Sequence, residues 1–539
     1  MCYRTDSLKN PHLIIVLAMV IALSHQALFL DWTCDDAFIS YRYAENLSNG
    51  QGLVFNTGER VEGFSNFFWV VLLAFFNIFG FSALWVSKIL SLCFSLLLIG
   101  FVFKTAYASG VGTVGSILCS FLVSSATSLA YFSMSGLETV LYTLLLLLAV
   151  YLNIKYKVTP KQKTFFLLYA VLLLAAITRP EGILFFLIST VYHLGQGLRQ
   201  KKRKAFKAIL PAPLLFLSVY AGFILFRYVY YSDILPNTFY AKPLGTFVDA
   251  GYNAFFVNFS SGLTSGSFFL IPLLLFMVNR KFLAQNLYPV LFCLIQALFM
   301  SYTGDWMAFG RFFFPIFPLA VVLTLTFLNT FPTSSSPIRW KSRTSILCLV
   351  AWIFFAGLNA AQTIKALENR DNYPYLVMNS AELTKVGKWL KDNFTSDTTI
   401  ALRRQGAIPY YSGMMSIDFL GLTNRKIAQT LFKENDMMQE SRLIAAYIVK
   451  QKPDLIILFS SKSEVSGWLL NESPSEGRLI YLEHLIHNLA VDEGYTHRKD
   501  ISLGETETAH LLMGMDLVIR PYTSFLLSLP FLTYYAAMQ

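Results

Sequence analysis

Residues 35–47 read Asp-Asp-Ala-Phe-Ile-Ser-Tyr-Arg-Tyr-Ala-Glu-Asn-Leu, and they come just after a hydrophobic stretch, Leu13 to Leu30, that is long enough to cross a bilayer. The pattern predicts an amphipathic helix that opens with Asp35 and Asp36 at a membrane surface. Asp is a common helix cap, which explains one such residue and less readily two. The pair therefore indicates an acid/base site at the interface, with a simple cap as the alternative.

The composition is that of a polytopic membrane protein. The chain has 539 residues, of which 16% are aromatic and only 14% charged, and its mean hydropathy is +0.52. Its apolar residues far outnumber what one soluble core could hide. The net charge of +11 does not indicate nucleic acid, because the Lys and Arg residues cluster in short loops beside apolar stretches.

The basic residues also predict the topology. The apolar segment from Asn66 to Phe79 is short for a span, so we interpret it as interfacial or re-entrant. The ionisable residues of the inward loops are then almost all Lys and Arg, with one acid, Asp6, and the N-terminus lies inside. The expected spans, about eleven in number, are 13–30, 84–103, 112–130, 137–154, 164–178, 181–195, 208–230, 262–278, 287–303, 312–331 and 345–361.

The character of the sequence changes beyond Asn359, where it becomes that of a soluble protein. Short helical and strand patterns follow one another there and predict a small α/β domain outside the membrane. They comprise helices at 380–394 and 440–450 and strands at 398–402 and 454–459. The predicted division is a transmembrane domain at 1–361 with its first outward loop and interfacial helices at 31–83, an outer domain at 362–520, and an apolar tail at 521–539 that is docked or interfacial.

Ionisable side chains gather at the outward ends of the expected spans, where they are costly unless they are paired or line a cavity. Glu138 lies in a turn between two spans, and Arg179 and Glu181 flank a proline in the next such turn. An ordinary turn and a satisfied ion pair are the alternatives at each place. The remaining candidates lie before the eighth span and at the start of the tenth, and they are Asn237, Tyr240, Lys242, Asp305 and Arg311.

A site of this kind suits a substrate with an anionic head and an apolar tail, such as a sugar linked to polyprenyl phosphate. The sequence contains no His-Glu-x-x-His motif, phosphate loop or Rossmann fingerprint that would indicate soluble-cofactor chemistry. We therefore expect a glycosyltransferase that uses a lipid-linked sugar. A transporter or flippase for such lipids is the alternative, and a scaffold that binds partners is a third hypothesis.

Several short segments form a recognisable set. They are Asp35–Tyr43, Gly52–Asn56, Val61–Gly63, Arg179–Gly182, Pro236–Lys242, Gly304–Trp306 and Ile417–Leu422. Together they resemble bacterial GT-C glycosyltransferases similar to the mycobacterial terminal β-arabinofuranosyltransferase. The resemblance implies an inverting enzyme of the bacterial cytoplasmic membrane that transfers sugar from polyprenyl phosphate to a cell-envelope glycan or glycolipid on the outer face. Thr303 and the pair Arg403-Arg404 depart from the family pattern. The resemblance therefore does not imply that this chain uses the same sugar donor as the family.

The candidate roles follow from the chemistry of glycosyl transfer. An acceptor hydroxyl loses its proton as it attacks, and Asp36 is the first candidate for the base, with Glu62 and Glu138 as alternatives. Asp35 could hold the acceptor, position Asp36 or bind a divalent cation; no other cofactor is indicated. For Arg42, a salt bridge with Asp35 or Glu45 is the alternative to a donor role. The cations available to stabilise the leaving phosphate are Arg42, Arg179, Lys242 and Arg311.

Overall fold

The computed structural model describes residues 11–199, 208–241, 279–303, 309–329, 337–368, 380–433, 436–461, 474–502 and 507–513. Two candidate site residues, Lys242 and Asp305, lie outside these ranges. The expected span at 262–278 and the tail at 521–539 also lie outside the described residues.

The described residues before 369 form helices joined by short turns. Long runs of Leu, Phe and Ala favour helix, and their side chains are apolar on most sides, as expected for helices inside a bilayer. The helices are α1 Pro11–Ala27, α2 Asp35–Ser48, α3 Phe67–Asn77, α4 Ala83–Ala108, α5 Thr113–Ser124, α6 Thr127–Met134, α7 Thr139–Val158, α8 Gln162–Thr178, α9 Gly182–Arg199, α10 Pro211–Tyr231, α11 Asn237–Ala241, α12 Arg280–Thr303, a 3₁₀ turn Phe314–Ile316, α13 Phe317–Leu328 and α14 Pro337–Glu368.

Four described helices, α4, α7, α10 and α12, include stretches that are long and apolar enough to cross a bilayer. A fifth span results if α5 and α6 are counted together. The helix α3 has 11 residues, about 17 Å in length, and is too short to cross, as expected for the segment from Asn66 to Phe79. The figure of about eleven spans stays a prediction.

The expected single span at 112–130 is broken in the structure. Helices α5 and α6 meet at an angle of 53°. The Ser125 hydroxyl donates to the Phe121 carbonyl at 2.6 Å, a local bond that competes with continued helix. The first backbone N–H of α6, on Thr127, donates instead to the Asn359 side chain at 2.8 Å. A side chain from a distant helix therefore satisfies the freed backbone group, which sequence periodicity does not show.

Described residues after 379 build a five-stranded mixed sheet with the strand order β2-β1-β3-β5-β4. β1 pairs in parallel with β2 and β3, whereas β5 is antiparallel to β3 and β4. The predicted helices and strands at 380–394, 398–402, 440–450 and 454–459 correspond to α15, β1, α18 and β3. The elements are α15 Ser380–Asn393, β1 Thr399–Leu402, α16 Ala407–Ser412, β2 Met415–Asp418, α17 Arg425–Lys433, α18 Met437–Lys450, β3 Leu455–Ser461, α19 Pro474–Asp492, β4 Thr496–Ser502 and β5 Glu507–Met513.

The central strands are buried on both faces. Successive side chains of a strand point to opposite sides, so neighbouring residues of β1 and β3 belong to two different cores. On one face, Leu402 and Ile457 belong to the same continuous core as the apolar helices. On the other face, Ile456 and Leu458 pack in a second core with α17, α18 and α19. The main hydrophobic core thus continues across the predicted domain boundary at residue 361.

Candidate active site

The first turn of α2 lies against the turn at residues 135–138. The Cys34 backbone N–H donates to the Ser135 carbonyl at 3.0 Å, and the Trp69 indole N–H donates to the Gly136 carbonyl at 3.1 Å. Gly136 has a φ of +82°, and a Cβ there would collide with the Tyr41 hydroxyl and the Ala37 methyl group. Only glycine allows this close approach.

Asp35 is buried and faces the C-terminal half of the chain. Its carboxylate accepts the backbone N–H of Ala407 at 2.7 Å and that of Gly406 at 3.2 Å. Burial raises the pKa of Asp35 to about 6, although these two N–H groups and Arg404 oppose the rise. Asp35 therefore does not cap its own helix, which was the alternative interpretation; its carboxylate instead binds the backbone N–H groups at the start of α16.

Asp36, the next residue, is only partly buried. Within the described part of the chain its carboxylate has no hydrogen-bonding partner. It lies close to Cys34 and Asp35, since its charge helps to raise the pKa of both groups. The Cys34 thiol is fully buried, and burial is the main reason that its pKa is raised, which makes it a packing residue rather than a nucleophile. Asp36 is thus the acid of the pair that is available to a substrate.

Glu138 is the centre of a buried ionic cluster. Its carboxylate accepts hydrogen bonds from Arg179 at 2.7 Å, from Arg311 at 3.0 Å and from the Asn66 amide at 2.9 Å. Burial alone would raise the pKa of Glu138, but Arg311 and Arg179 outweigh it and lower the pKa to about 2. A carboxyl group held ionised in this way is a poor general base near neutral pH.

Arg179 joins this cluster to a second acid. It forms an ion pair with Glu181 as well as with Glu138, and its guanidinium lies over the Phe312 ring at 4.9 Å. The ion pair between Arg179 and Glu181 was the alternative explanation for this turn. The structure adds that Glu138 and Arg311, from two other segments, share the same cluster.

Glu62 belongs to a separate buried pair. Its carboxylate contacts Arg227 at 2.6 Å and 3.0 Å through two guanidinium nitrogens. Burial raises the pKa of Glu62 to about 7, against the effect of Arg227. Sequence reasoning missed Arg227 because it lies inside the expected span at 208–230; a lone arginine in an apolar helix, which requires a partner, was the available signal.

The structure shows neither salt bridge that was the alternative for Arg42, with Asp35 or with Glu45, among the described ion pairs. The buried Arg42 guanidinium donates to three backbone carbonyls, those of Phe55 at 2.8 Å, Pro409 at 2.6 Å and Met414 at 2.7 Å. These contacts join α2 to the C-terminal half of the chain, and none of them supports the predicted role of Arg42 at the donor phosphate.

Asn237 and Tyr240 also make intramolecular contacts. The Asn237 amide donates to the carbonyls of Gly421 at 2.6 Å and Leu422 at 2.9 Å. The Tyr240 hydroxyl donates to Asp233 at 2.9 Å. Asn237 thus attaches the loop after α10 to the turn that follows β2, and a donor-binding role for either residue stays a prediction.

Arg403 and Arg404, noted in the sequence only as a departure from a pattern, lie just after the end of β1. Arg403 is 3.2 Å from Glu483, and both guanidinium groups lie over the Phe459 ring, at 5.3 and 5.7 Å. The positive charge of Arg404 acts on the Asp35 carboxyl group. The C-terminal half of the chain therefore brings one cation, Arg404, close to the first turn of α2.

A divalent cation stays a prediction. No group of three or more His, Cys, Asp or Glu side chains in them lies close enough together to hold an ion. Asp35, for which cation binding was one of three possible roles, is directed at two backbone N–H groups.

Comparisons with known proteins identify part of the chain. A family model described as a domain of unknown function, DUF8728, matches residues 371–509. No curated protein matches the sequence.

Solved structures match almost the whole chain. ArnT from Cupriavidus metallidurans bound to undecaprenyl phosphate is 11% identical with a TM-score of 0.56, and the match covers 92% of this chain and 97% of that one. The same protein in the apo state gives a TM-score of 0.57 at 12% identity, with the same coverage. The archaeal oligosaccharyltransferase AglB from Archaeoglobus fulgidus, in complex with an inhibitory peptide and a dolichol-phosphate, gives 0.54 at 10% identity over 83% of this chain and 69% of that one. The chain therefore has a GT-C fold.

Proposed function

We propose that this protein is an inverting glycosyltransferase of the bacterial cytoplasmic membrane, which transfers sugar from a polyprenyl-phosphate donor to a cell-envelope glycan or glycolipid on the outer face. The observation that carries the proposal is the position of Asp36. It is a partly exposed carboxylate, and both Asp36 and Arg311 act on the pKa of the buried Cys34 thiol. Asp36 is therefore close to Arg311, which belongs to the cluster of two arginines and two acids. The fold is shared with ArnT bound to undecaprenyl phosphate and with AglB in complex with a dolichol-phosphate.

The chemistry follows from these groups. An acceptor hydroxyl attacks the anomeric carbon of the donor sugar, and its proton passes to the Asp36 carboxylate. The bond between the anomeric carbon and the phosphate oxygen breaks, and its electron pair leaves with the lipid phosphate. Attack from the opposite side inverts the configuration at that carbon. Arg311 and Arg179 are the described cations best placed to stabilise the negative charge on the leaving phosphate.

The distribution of charge favours transfer over transport. The buried acids Glu138 and Glu62 lie in turns next to the ends of apolar helices. Carriers place their substrate and coupling groups near the middle of the membrane, which is not the arrangement of these ion pairs. A flippase is therefore the second candidate, and the experiment below separates the two.

The test uses the full-length protein in proteoliposomes with a panel of radiolabelled polyprenyl-phosphate sugars and envelope extracts as acceptors. We expect transfer by the wild-type protein and a loss of roughly 10²- to 10⁴-fold for Asp36→Asn, because the general base is removed. The matched control is Asp392→Asn, an exposed acid on α15, which should transfer normally. Wild-type turnover by Asp36→Asn would exclude Asp36 as the base, and lipid translocation without transfer would favour the flippase.

A further inference from the structure

One face of α2 holds both ends of α16. Asp35 accepts the N–H groups of Gly406 and Ala407, which precede and begin α16. Two turns further along α2, Arg42 donates to the carbonyls of Pro409, in the middle of α16, and of Met414, just beyond its end. The same short helix is thus bound by an acid at its start and by a guanidinium at its end.

Two more residues of α2 complete this contact. Phe38 packs against the rings of Tyr410 and Tyr411 at centroid distances of 5.3 and 5.5 Å. Glu45 accepts a hydrogen bond from the Tyr410 hydroxyl at 2.9 Å. The contact is tight around Gly406, where a Cβ would collide with Asp35.

Helical geometry explains why this face matters for Asp36. Residues three, seven and ten positions after Asp35 lie on nearly the same side of a helix, and these are Phe38, Arg42 and Glu45. Asp36 is displaced from this side by about 100° around the helix axis. Any rotation of the first turn of α2 therefore moves the Asp36 carboxylate. The contact with α16 opposes that rotation on one side of α2, and the turn at residues 135–138 packs on another.

We propose that Asp35 is a positioning residue, which holds the first turn of α2 on residues 406–414 and thereby directs Asp36 towards the acceptor. The role of Asp36 as the base in this inference rests on the proposed function. The orientation of Asp36 by Asp35 does not depend on it. It assigns to part of the segment matched by DUF8728 a role in shaping the site.

In a rival role, Asp35 itself takes the proton or binds the substrate. That role predicts that Asp35→Asn is as inactive as Asp36→Asn. Asn keeps one carboxamide oxygen and is as good a helix cap as Asp. Asp35→Asn should therefore retain the shorter bond to Ala407 and stay within about five-fold of the wild-type kcat, since a positioning role needs an acceptor atom rather than a charge. Asp35→Ala should lose roughly ten-fold or more in kcat with little change in the KM for the donor, because only the orientation of Asp36 is altered.

Two further measurements need no substrate. Hydrogen exchange of the Ala407 amide should be roughly ten-fold faster in Asp35→Ala and almost unchanged in Asp35→Asn, in line with the loss of one cap. The second measurement places a thiol at the site with Asp36→Cys, in a Cys93→Ser background, and follows its labelling rate. We expect that rate to change when Asp35→Ala is added and to be preserved with Asp35→Asn.

The outcomes separate the proposals. If Asp35→Asn is as inactive as Asp36→Asn while Ala407 exchange is normal, Asp35 acts on the substrate and the positioning role is wrong. If Asp35→Ala changes neither Ala407 exchange nor thiol labelling, the contact does not hold α2 and the inference is likewise wrong. If exchange and labelling change as expected but the wild-type protein transfers no sugar, the positioning role stands and the proposed function fails.

Discussion

Asp35 and Asp36 show how burial gives two adjacent, identical residues different roles. The carboxylate of Asp35 is enclosed and accepts two backbone N–H groups, whereas that of Asp36 is partly exposed. Glu138 illustrates a third environment, in which two arginines keep a buried carboxylate ionised. The pKa of Glu138 is lowered while that of Asp35 is raised, so their effects on stability have opposite dependence on pH.

Glu138→Gln should destabilise the protein by about 3–5 kcal/mol at neutral pH, because Arg179 and Arg311 each lose an ionic contact in a largely buried cluster. The folded-state pKa of about 2 lies below the usual value of 4.5. The stability that ionised Glu138 contributes is therefore present above about pH 4.5 and is lost as the pH falls towards 2. The apparent melting temperature of wild type and variant in detergent, measured from pH 7 to pH 3, should converge on acidification. Glu382→Gln, on an exposed ion pair, is the control; curves that stay parallel would contradict the assignment.

At the level of elements, the site depends on turns that allow close approach and on ion pairs that connect distant helices. The turn before α7 meets α2 at Gly136 with no room for a side chain. Glu62 connects the loop before α3 to Arg227 on α10. Few of the residues of α10 are buried against the rest of the protein. Each contact fixes one element that carries a candidate residue.

Gly136→Ala should reduce both stability and transfer, because the new methyl group would collide with Tyr41 and Ala37. Gly110→Ala is the matched control, since Gly110 has a similar φ of +87° but nothing within 4 Å of its Cβ position. The control should cost only the left-handed strain, about 1–2 kcal/mol. Thermal unfolding of both variants measures the difference, and equal losses would show that the contact at Gly136 is unimportant.

The pair formed by Glu62 and Arg227 should behave as a unit. Glu62→Gln or Arg227→Met alone leaves an uncompensated buried charge and should cost about 3–5 kcal/mol, whereas the double variant should recover much of that loss. Melting temperatures of the four proteins give the coupling energy. Additive losses would mean that the two side chains do not depend on each other.

Across the whole molecule, one hydrophobic core runs from the apolar helices through α2 and α16 to one face of the sheet. Side chains of Ala407 and Ile408 lie in it beside those of α2. The C-terminal half is therefore packed against the helices rather than attached through a linker alone, and it must lie on the side of the membrane where α2 lies.

Single-cysteine labelling tests that placement in intact cells. Lys426→Cys, on an exposed position of α17, should react with a membrane-impermeant reagent from outside. Lys161→Cys, also exposed but in the basic turn before α8, should react only after the cells are permeabilised, because basic loops stay inside. Labelling of Lys161→Cys from outside would overturn the topology and scatter the site over both faces.

The sequence alone determined the features that depend on local pattern. Hydrophobic runs predict membrane helices, short strand and helix patterns predict β1, β3, α15 and α18, and the pair of acids marks the start of α2. These signals arise within one or two turns of chain, where side-chain periodicity reflects burial directly. The resemblance of short motifs to GT-C enzymes agrees with the fold.

Only the tertiary structure decided which polar groups meet. Asp35 finds its partners 371 and 372 residues away, Arg42 and Pro409 are 367 residues apart, and Glu138 and Arg311 are separated by 173 residues. Burial of a charge requires a partner, but the partner is selected by how the helices pack rather than by its place in the chain. That packing distinguishes the capping acid from the acid left open to a substrate.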